Sequence, residues 1–291
     1  HGNTKAIFEI SSEDISPAER PDYVVTVPTP DVYRGQFQGD DAAERYADTV
    51  LDALALLDSR GIRPAAFIID TIISSGGVVA TPPGYLKRIA AAVREAGALF
   101  VADEVQPGFG RTGHHFWGHE IDDFVPDIVT MGKPMGNGHP LAATITRREL
   151  LDRFIEHAHY FNTFGGNPVS CAAGLAVLDV IEDENLQQNA LEVGLYLNEG
   201  LWQLADSYEA IGDVRGDGLF KAVEFVKDRD SRVPASDFCG RIVEALRQRR
   251  VLTGRIGKDN NILKLRPPMV YKKEHADQFL GLFDEVLAET H

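Results

Sequence analysis

Three short apolar runs, separated by segments of helical periodicity, constrain this chain more than any other feature. They are Pro64-Ala65-Ala66-Phe67-Ile68-Ile69-Asp70, then Ala98-Leu99-Phe100-Val101-Ala102 running into Asp103, then Asp127-Ile128-Val129-Thr130-Met131 running into Gly132-Lys133. Continuous apolar runs of this length predict strands buried on both faces, the habit of parallel sheets. Ala42, Ala43, Tyr46, Val50, Leu54 and Leu57 recur at helical spacing, which predicts a helix over 41–58 stopped by Gly61. A second helix is predicted over 84–96 and closed by Gly97. Strand, helix and strand in this order predict an α/β fold with a mostly parallel sheet. Ala142-Ala143-Thr144-Ile145-Thr146 reads as a further strand.

Beyond Asn167-Pro168 the pattern turns to long helices over 167–181 and 186–208, and then to strands at 219–225 and 261–266 alternating with helices over 236–250 and 273–289. The expected organisation is a large unit over residues 1–180 and a smaller C-terminal α+β unit over 181–291. The chain opens on His1-Gly2-Asn3 without an initiator Met, which reads as the interior of a longer protein.

Composition narrows the partners. With 29 Lys and Arg against 44 Asp and Glu, the formal charge of −15 argues against nucleic acid and anionic membranes. No apolar run approaches the roughly 20 residues a membrane helix requires. Cys171 and Cys239 are far apart in apolar surroundings, which suits a reducing compartment, and the cytoplasm is the expected location.

In an open parallel sheet, ligands bind beyond the carboxyl ends of the strands, so polar residues there are the first candidates for chemistry. Asp103 and Lys133 end adjacent strands in sequence. Lys133 lies in Gly132-Lys133-Pro134-Met135-Gly136 with no acid close in sequence, a setting that suits a nucleophilic amine. A carboxylate facing a lysine is the arrangement pyridoxal phosphate chemistry requires, and on spacing alone the commoner alternative is a structural Asp–Lys ion pair or two unrelated loop residues.

Other candidates read more blandly. Gly108-Phe109-Gly110-Arg111-Thr112-Gly113 has the spacing of a dinucleotide fingerprint but no helix opening at its third glycine, so it reads as a glycine-rich surface loop. His114, His115 and His119 lack the spacing of a metal cluster, and no metal is expected. Thr163, before the helix start at Asn167-Pro168, could meet a phosphate or belong to a helix cap. Arg266, followed by Pro267 and Pro268, is held rigidly enough for bidentate anion recognition, with a surface ion pair as the alternative.

Taken together, residues 101–113 (Val-Ala-Asp-Glu-Val-Gln-Pro-Gly-Phe-Gly-Arg-Thr-Gly), 126–133, Asn162-Thr163-Phe164-Gly165-Gly166-Asn167-Pro168 and Leu265-Arg266-Pro267-Pro268 closely resemble the class III aminotransferases. The stretches 131–140 and 160–171 look nearest to the branch of alanine-glyoxylate aminotransferase 2-like proteins and ethanolamine-phosphate phospho-lyases. The resemblance implies a three-layer, fold type I large domain lacking its N-terminal part, with a small C-terminal α+β domain. It implies pyridoxal 5'-phosphate as cofactor, Lys133 as the Schiff-base lysine and proton shuttle, and Asp103 as partner of the pyridine nitrogen. Val105 would pack on a ring face, and Gln106 would hydrogen-bond the ring hydroxyl. Thr163 would reach the cofactor phosphate of a neighbouring subunit, which implies a homodimer with shared active sites. Arg266 would hold the substrate carboxylate.

The chain also departs from the family pattern. The aromatic residue that precedes a His-Gly pair is absent before His1-Gly2, as is the glycine-rich phosphate-cradling helix start. Asp70-Thr71-Ile72-Ile73-Ser74-Ser75-Gly76-Gly77 stands where Glu-Pro and a glycine-rich loop are usual. The expected activity is amino transfer between a small amine or amino acid and a 2-oxo acid. The alternatives are elimination of phosphate from an amino-alcohol phosphate or, in a different class, an inactive dimerisation module.

Overall fold

The computed structural model describes residues 1–12, 16 and 18–290. Its first sheet has four strands in the order β1 (Ala66–Asp70), β2 (Leu99–Asp103), β3 (Ile128–Met131) and β4 (Ala143–Thr146). The first three run parallel, and β4 returns antiparallel to β3. Asp70 pairs in register with Asp103, and Asp103 with Thr130, so the carboxyl ends of the three parallel strands form one rim.

Helices α2 (Ala42–Ser59) and α3 (Tyr85–Glu95), which follow the short α1 (Lys5–Ile10), form as their periodicity predicts. The buried stripe of α2 is Ala42, Tyr46, Ala47, Val50 and Leu57, and that of α3 is Tyr85, Leu86, Ile89, Ala90 and Val93. Both stripes close a core with Ile69, Phe100 and Ala102. The first amides of α3 are satisfied from far along the chain, with the Gly84 and Leu86 N–H groups donating to the two carboxylate oxygens of Asp122 at 2.7 Å each.

One expectation fails in β1, which is not buried on both faces. Phe67 and Ile69 join the helix-covered core, while Ala66 is exposed and Ile68 half-buried on the opposite face. Among the described residues β1 pairs only with β2, so its apolar run lies at a sheet edge with one face packed.

After α4 (Arg148–His157) and α5 (Pro168–Asp183), the long α6 (Leu186–Ser207) leads into a second, antiparallel sheet. Its strands are β5 (Ile211–Asp217), β6 (Phe220–Phe225), β7 (Gly254–Ile256) and β8 (Ile262–Leu265), ordered β5-β6-β8-β7. Its core gathers Leu197 and Leu201 from α6, Val223 and Phe225 from β6, Ile242 and Leu246 from α7 (Ser236–Gln248), and Phe283 and Val286 from α8 (Lys273–Glu289).

The two sheets meet through buried charge. The Glu224 carboxylate on β6 is wholly buried and accepts from Arg34 Nε, from Arg215 Nη1 at 2.6 Å and from Asn261 Nδ2 at 3.1 Å. Arg215 also donates to the Gly77 carbonyl at 3.0 Å, which ties the loop after β1 to the second sheet. Val78 packs beside this tie against Phe220, Ala222 and Ile262.

Candidate active site

The parallel strands place their polar ends side by side. Asp103, the last residue of β2, is 6 % exposed. Its Oδ2 accepts from His1 Nδ1 at 2.6 Å, and its Oδ1 from the Val105 amide at 3.0 Å. The Glu104 amide donates to the Thr130 carbonyl at 2.8 Å, which locks the end of β2 against β3 and hence against the turn that carries Lys133. Lys133 opens a short 3-10 turn at a φ of 28°. A Cβ at the preceding Gly132 would stand 3.9 Å from Val105 Cγ1, so this turn passes beside the Val105 side chain. Lys133 is exposed, and among the described residues its amine has no hydrogen bond or ion pair. The structural Asp–Lys pair left open by spacing is therefore not formed: Asp103 turns to His1, and the amine remains uncommitted.

Gln106 is fully engaged. Its Nε2 donates to Ser74 Oγ and, at 3.3 Å, to Ser75 Oγ; its Oε1 accepts from Lys264 Nζ at 2.9 Å and from Arg266 Nη1 at 2.8 Å. Ser74 Oγ in turn donates to Asp70 Oδ2, which also accepts from the Ser74 amide at 2.9 Å. Burial pushes the Asp70 carboxyl up to about 6, against these hydrogen bonds and with the Asp103 charge adding to the rise. A polar chain thus crosses from the first sheet to the second: Asp70, Ser74, Gln106, then Lys264 of β8 and Arg266 just beyond it.

Thr163 lies apart, on the exposed loop between α4 and α5, and its hydroxyl has no partner among the described residues. Asn167 caps α5, accepting from the Ser170 amide at 2.9 Å, so the helix-cap reading of that motif holds for Asn167. The structure therefore brings Asp103, Val105, Gln106, Lys133 and Arg266 to one rim and leaves Thr163 on the surface.

The segment 108–113 is not a surface loop. Gly108, Phe109, Gly110 and Thr112 are buried, and a Cβ at Gly113, where φ is 79°, would come within 2.6 Å of the Leu191 backbone. These glycines permit close packing against α6. Nor is His119 a metal ligand: its Nδ1 meets the buried Glu104 carboxylate at 2.8 Å, alongside the Gly118 and His119 amides.

Sequence reasoning missed Ser74 and Lys264. Ser74 had no signal beyond its place after a strand end. Lys264 had one, because two residues before Arg266 on a strand it shares the arginine's face.

The chemistry of this rim suits pyridoxal phosphate, as it offers an uncommitted amine and a buried carboxylate at the ends of neighbouring strands. Comparisons with known proteins agree. The family model described as aminotransferase class-III matches residues 1–287. The alanine–glyoxylate aminotransferase 2-like protein of Drosophila melanogaster is 43 % identical over 99 % of this chain and 60 % of its own length. The ethanolamine-phosphate phospho-lyase homolog 1 of Caenorhabditis elegans is 39 % identical over 99 % of this chain and 65 % of its own. The chain thus spans less than two thirds of these relatives. A phospholyase from Arthrobacter, solved in complex with phosphoethanolamine, superposes with a TM-score of 0.92 at 41 % identity, covering 99 % of this chain and 68 % of that one. With the rim, the motifs and the family match in agreement, this chain belongs to the class III aminotransferases.

Proposed function

We propose that the protein is a pyridoxal-phosphate-dependent aminotransferase that moves an amino group between a small amine or amino acid and a 2-oxo acid. The observation that carries this reading is that the Lys133 amine, without a partner among the described residues, follows the strand that pairs with the end of β2 at the buried Asp103 carboxylate. When bound, the cofactor supplies an electron-poor ring that makes the proton on the substrate's Cα acidic.

The chain's residues supply the rest. Lys133 would hold the cofactor through its amine and would be the base that takes a proton from the substrate's Cα. Asp103, held in place by His1 and the Val105 amide, would supply the negative charge for the ring nitrogen. Val105 would pack on a face of the ring. Gln106 would hydrogen-bond the ring hydroxyl. Arg266 receives the substrate's anionic end. Residues 1–180 are taken as the cofactor-binding unit and 181–291 as the small unit, working in the cytoplasm.

Thr163 would serve the neighbouring subunit of a homodimer. The exposed apolar surface of α4, the 160–164 loop and α5 supports such a partner, with Ile155, Phe161, Phe164, Val169 and Leu175 all facing outward.

A second reading, elimination of phosphate from an amino-alcohol phosphate, is favoured by Lys264 of β8 and Arg266 just beyond it, which both donate to Gln106. Borohydride reduction of the chain with pyridoxal phosphate, followed by peptide mapping, tests the shared core of both readings. A reduced adduct on Lys133, lost in Lys133→Ala together with ~10³-fold or more of the turnover, is the expected result. No adduct on Lys133 would leave the dimerisation module as the reading. Release of inorganic phosphate without a 2-oxo acid would select the lyase.

A further inference from the structure

The loop after β1 puts a serine between Asp70, the last residue of β1, and Gln106, three residues past the end of β2. Ser74 is wholly buried, and its Oγ donates to Asp70 Oδ2 and accepts from Gln106 Nε2. The loop's own backbone holds the serine there. The Ile73 amide donates to the Asp70 carbonyl at 3.0 Å, the Val78 amide to the Ile73 carbonyl at 3.1 Å, and the Gly257 amide, just beyond β7, to the Ser75 carbonyl at 3.2 Å. Ile73 and Val78, which close this ring, take φ values of 45° and 52°, a conformation that β-branched residues avoid. Such strain persists only where the surroundings fix it, and here it delivers the Ser74 hydroxyl to Gln106.

The direction of each hydrogen bond along this chain follows from its ends. Lys264 and Arg266 can only donate, so the Gln106 amide turns its oxygen to them, at 2.9 and 2.8 Å. Its nitrogen therefore faces Ser74, whose hydroxyl accepts from it and must send its own proton on to Asp70. The Ser74 amide, at 2.9 Å, and the Ile72 amide, at 3.2 Å, donate to the same carboxyl, and an ionised carboxylate accepts all three. Positive charge at one end and negative at the other thus align the neutral amide and hydroxyl between them. Gln106 Nε2 carries a second N–H, which reaches Ser75 Oγ at 3.3 Å, long for a bond of this kind. That second N–H is the one the side chain can redirect.

We infer that Asp70 and Ser74 are positioning residues for the cofactor's ring hydroxyl: they hold one N–H of Gln106 and fix the sense of its amide, so that the other N–H is the donor to that hydroxyl. This rests on the proposed pyridoxal phosphate reading. An asparagine at position 70 would turn an NH2 group toward either the Ser74 hydroxyl or the Ile72 amide, setting donor against donor and freeing the amide to turn. Ser74→Ala removes the middle of the relay and leaves Asp70 its backbone donors.

The test is a pH titration of the visible absorption band of the 291-residue chain loaded with pyridoxal phosphate, on wild type, Asp70→Asn, Ser74→Ala, Gln106→Met and the double variant Asp70→Asn/Gln106→Met. A donor on the ring oxygen draws its negative charge away from the proton on the Lys133 nitrogen, so weakening the donor raises the midpoint of the band. Asp70→Asn and Ser74→Ala are each expected to raise it by about half a unit or more, the worth of one hydrogen bond. Mere loss of a nearby negative charge would lower it, so the direction separates positioning from a field effect. Gln106→Met should raise the midpoint at least as far, and adding Asp70→Asn to it should raise it no further, because Asp70 acts through the amide. A midpoint that Ser74→Ala leaves unmoved, or that Asp70→Asn raises equally without Gln106, overturns the inference. Where Asp70→Asn fails to fold, Ser74→Ala decides alone. In the unloaded chain the Gln106 side-chain amide signals in a nitrogen–proton correlation spectrum, identified by their loss in Gln106→Met, should shift in Ser74→Ala; unshifted signals refute the relay. A wild type that develops no visible band overturns the cofactor reading, whereas a band with an unmoved midpoint overturns the positioning role alone.

Discussion

Asp70 and Asp103 occupy matching positions at the ends of neighbouring strands, yet their surroundings differ. Asp103 meets His1 and one amide, while Asp70 is enclosed with Ser74 and carries a carboxyl pushed up to about 6. A raised folded-state value means that the folded protein holds the proton more tightly than the unfolded chain. Asp70 therefore contributes stability that is fully present below pH 3.8 and is lost as pH rises through 6. Urea midpoints of wild type and Asp70→Asn across pH 4 to 7 should show this, with wild type losing stability relative to the asparagine variant as pH rises. Parallel midpoints would show that the carboxyl is not enclosed. At this scale the site was largely legible in the sequence. Asp103, Lys133 and Arg266 end strands or follow them directly, and strand ends in parallel sheets face ligands whatever the distant contacts are. Ser74 and Lys264 were not legible as partners, because their meeting through Gln106 depends on how two sheets pack.

Strand β6 carries the other costly burial. Glu224 accepts from two arginines that arrive from different parts of the chain, Arg34 from the 31–37 loop and Arg215 from β5. Glu224→Ala would leave both guanidinium groups without their shared acceptor, and a loss of ~3–5 kcal/mol in urea unfolding is expected. A loss below ~1 kcal/mol would mean that water or Asp213 and Asp259 replace the carboxylate with ease. Most elements follow from periodicity, including α2, α3, α6, α7 and α8. Strand β5, with its Asp213, Arg215 and Asp217, was missed because its polar side chains obscure the alternation; Arg215 finds its partners only in the folded protein. Helix α4 was missed although Leu150, Leu151, Phe154 and Ile155 recur at helical spacing; it spans under three turns, and none of its residues is buried among the described residues.

At the scale of the molecule, two features invite measurement. Helix α5 is apolar along its length but buries only Ser170 and Gly174 among the described residues. If a second copy of this chain covers it, Leu178→Glu should convert a dimer to a monomer in light scattering, whereas an unchanged mass would place the interface elsewhere. Lys221 lies inside the antiparallel sheet, donating to Asn198 Oδ1 at 3.1 Å and to the Gly216 carbonyl at 2.6 Å, and burial pushes its amine down to about 8. Its folded-state value is depressed, so the stability it contributes is present above pH 10.5 and lost as pH falls through 8. The thermal midpoint of Lys221→Met relative to wild type should therefore be higher at pH 7 than at pH 10. A constant difference would refute the buried charge.

The order of elements, the parallel sheet and the rim bearing Asp103 and Lys133 were determined by the sequence itself, since apolar runs and helical stripes are local patterns that burial enforces wherever a core forms. Tertiary structure alone decided which charges meet. Asp103 faces His1 rather than Lys133; Glu224 gathers Arg34 and Arg215; Gln106 holds Lys264 and Arg266 together. Polar partners are chosen by geometry across long separations, and no local periodicity records that choice.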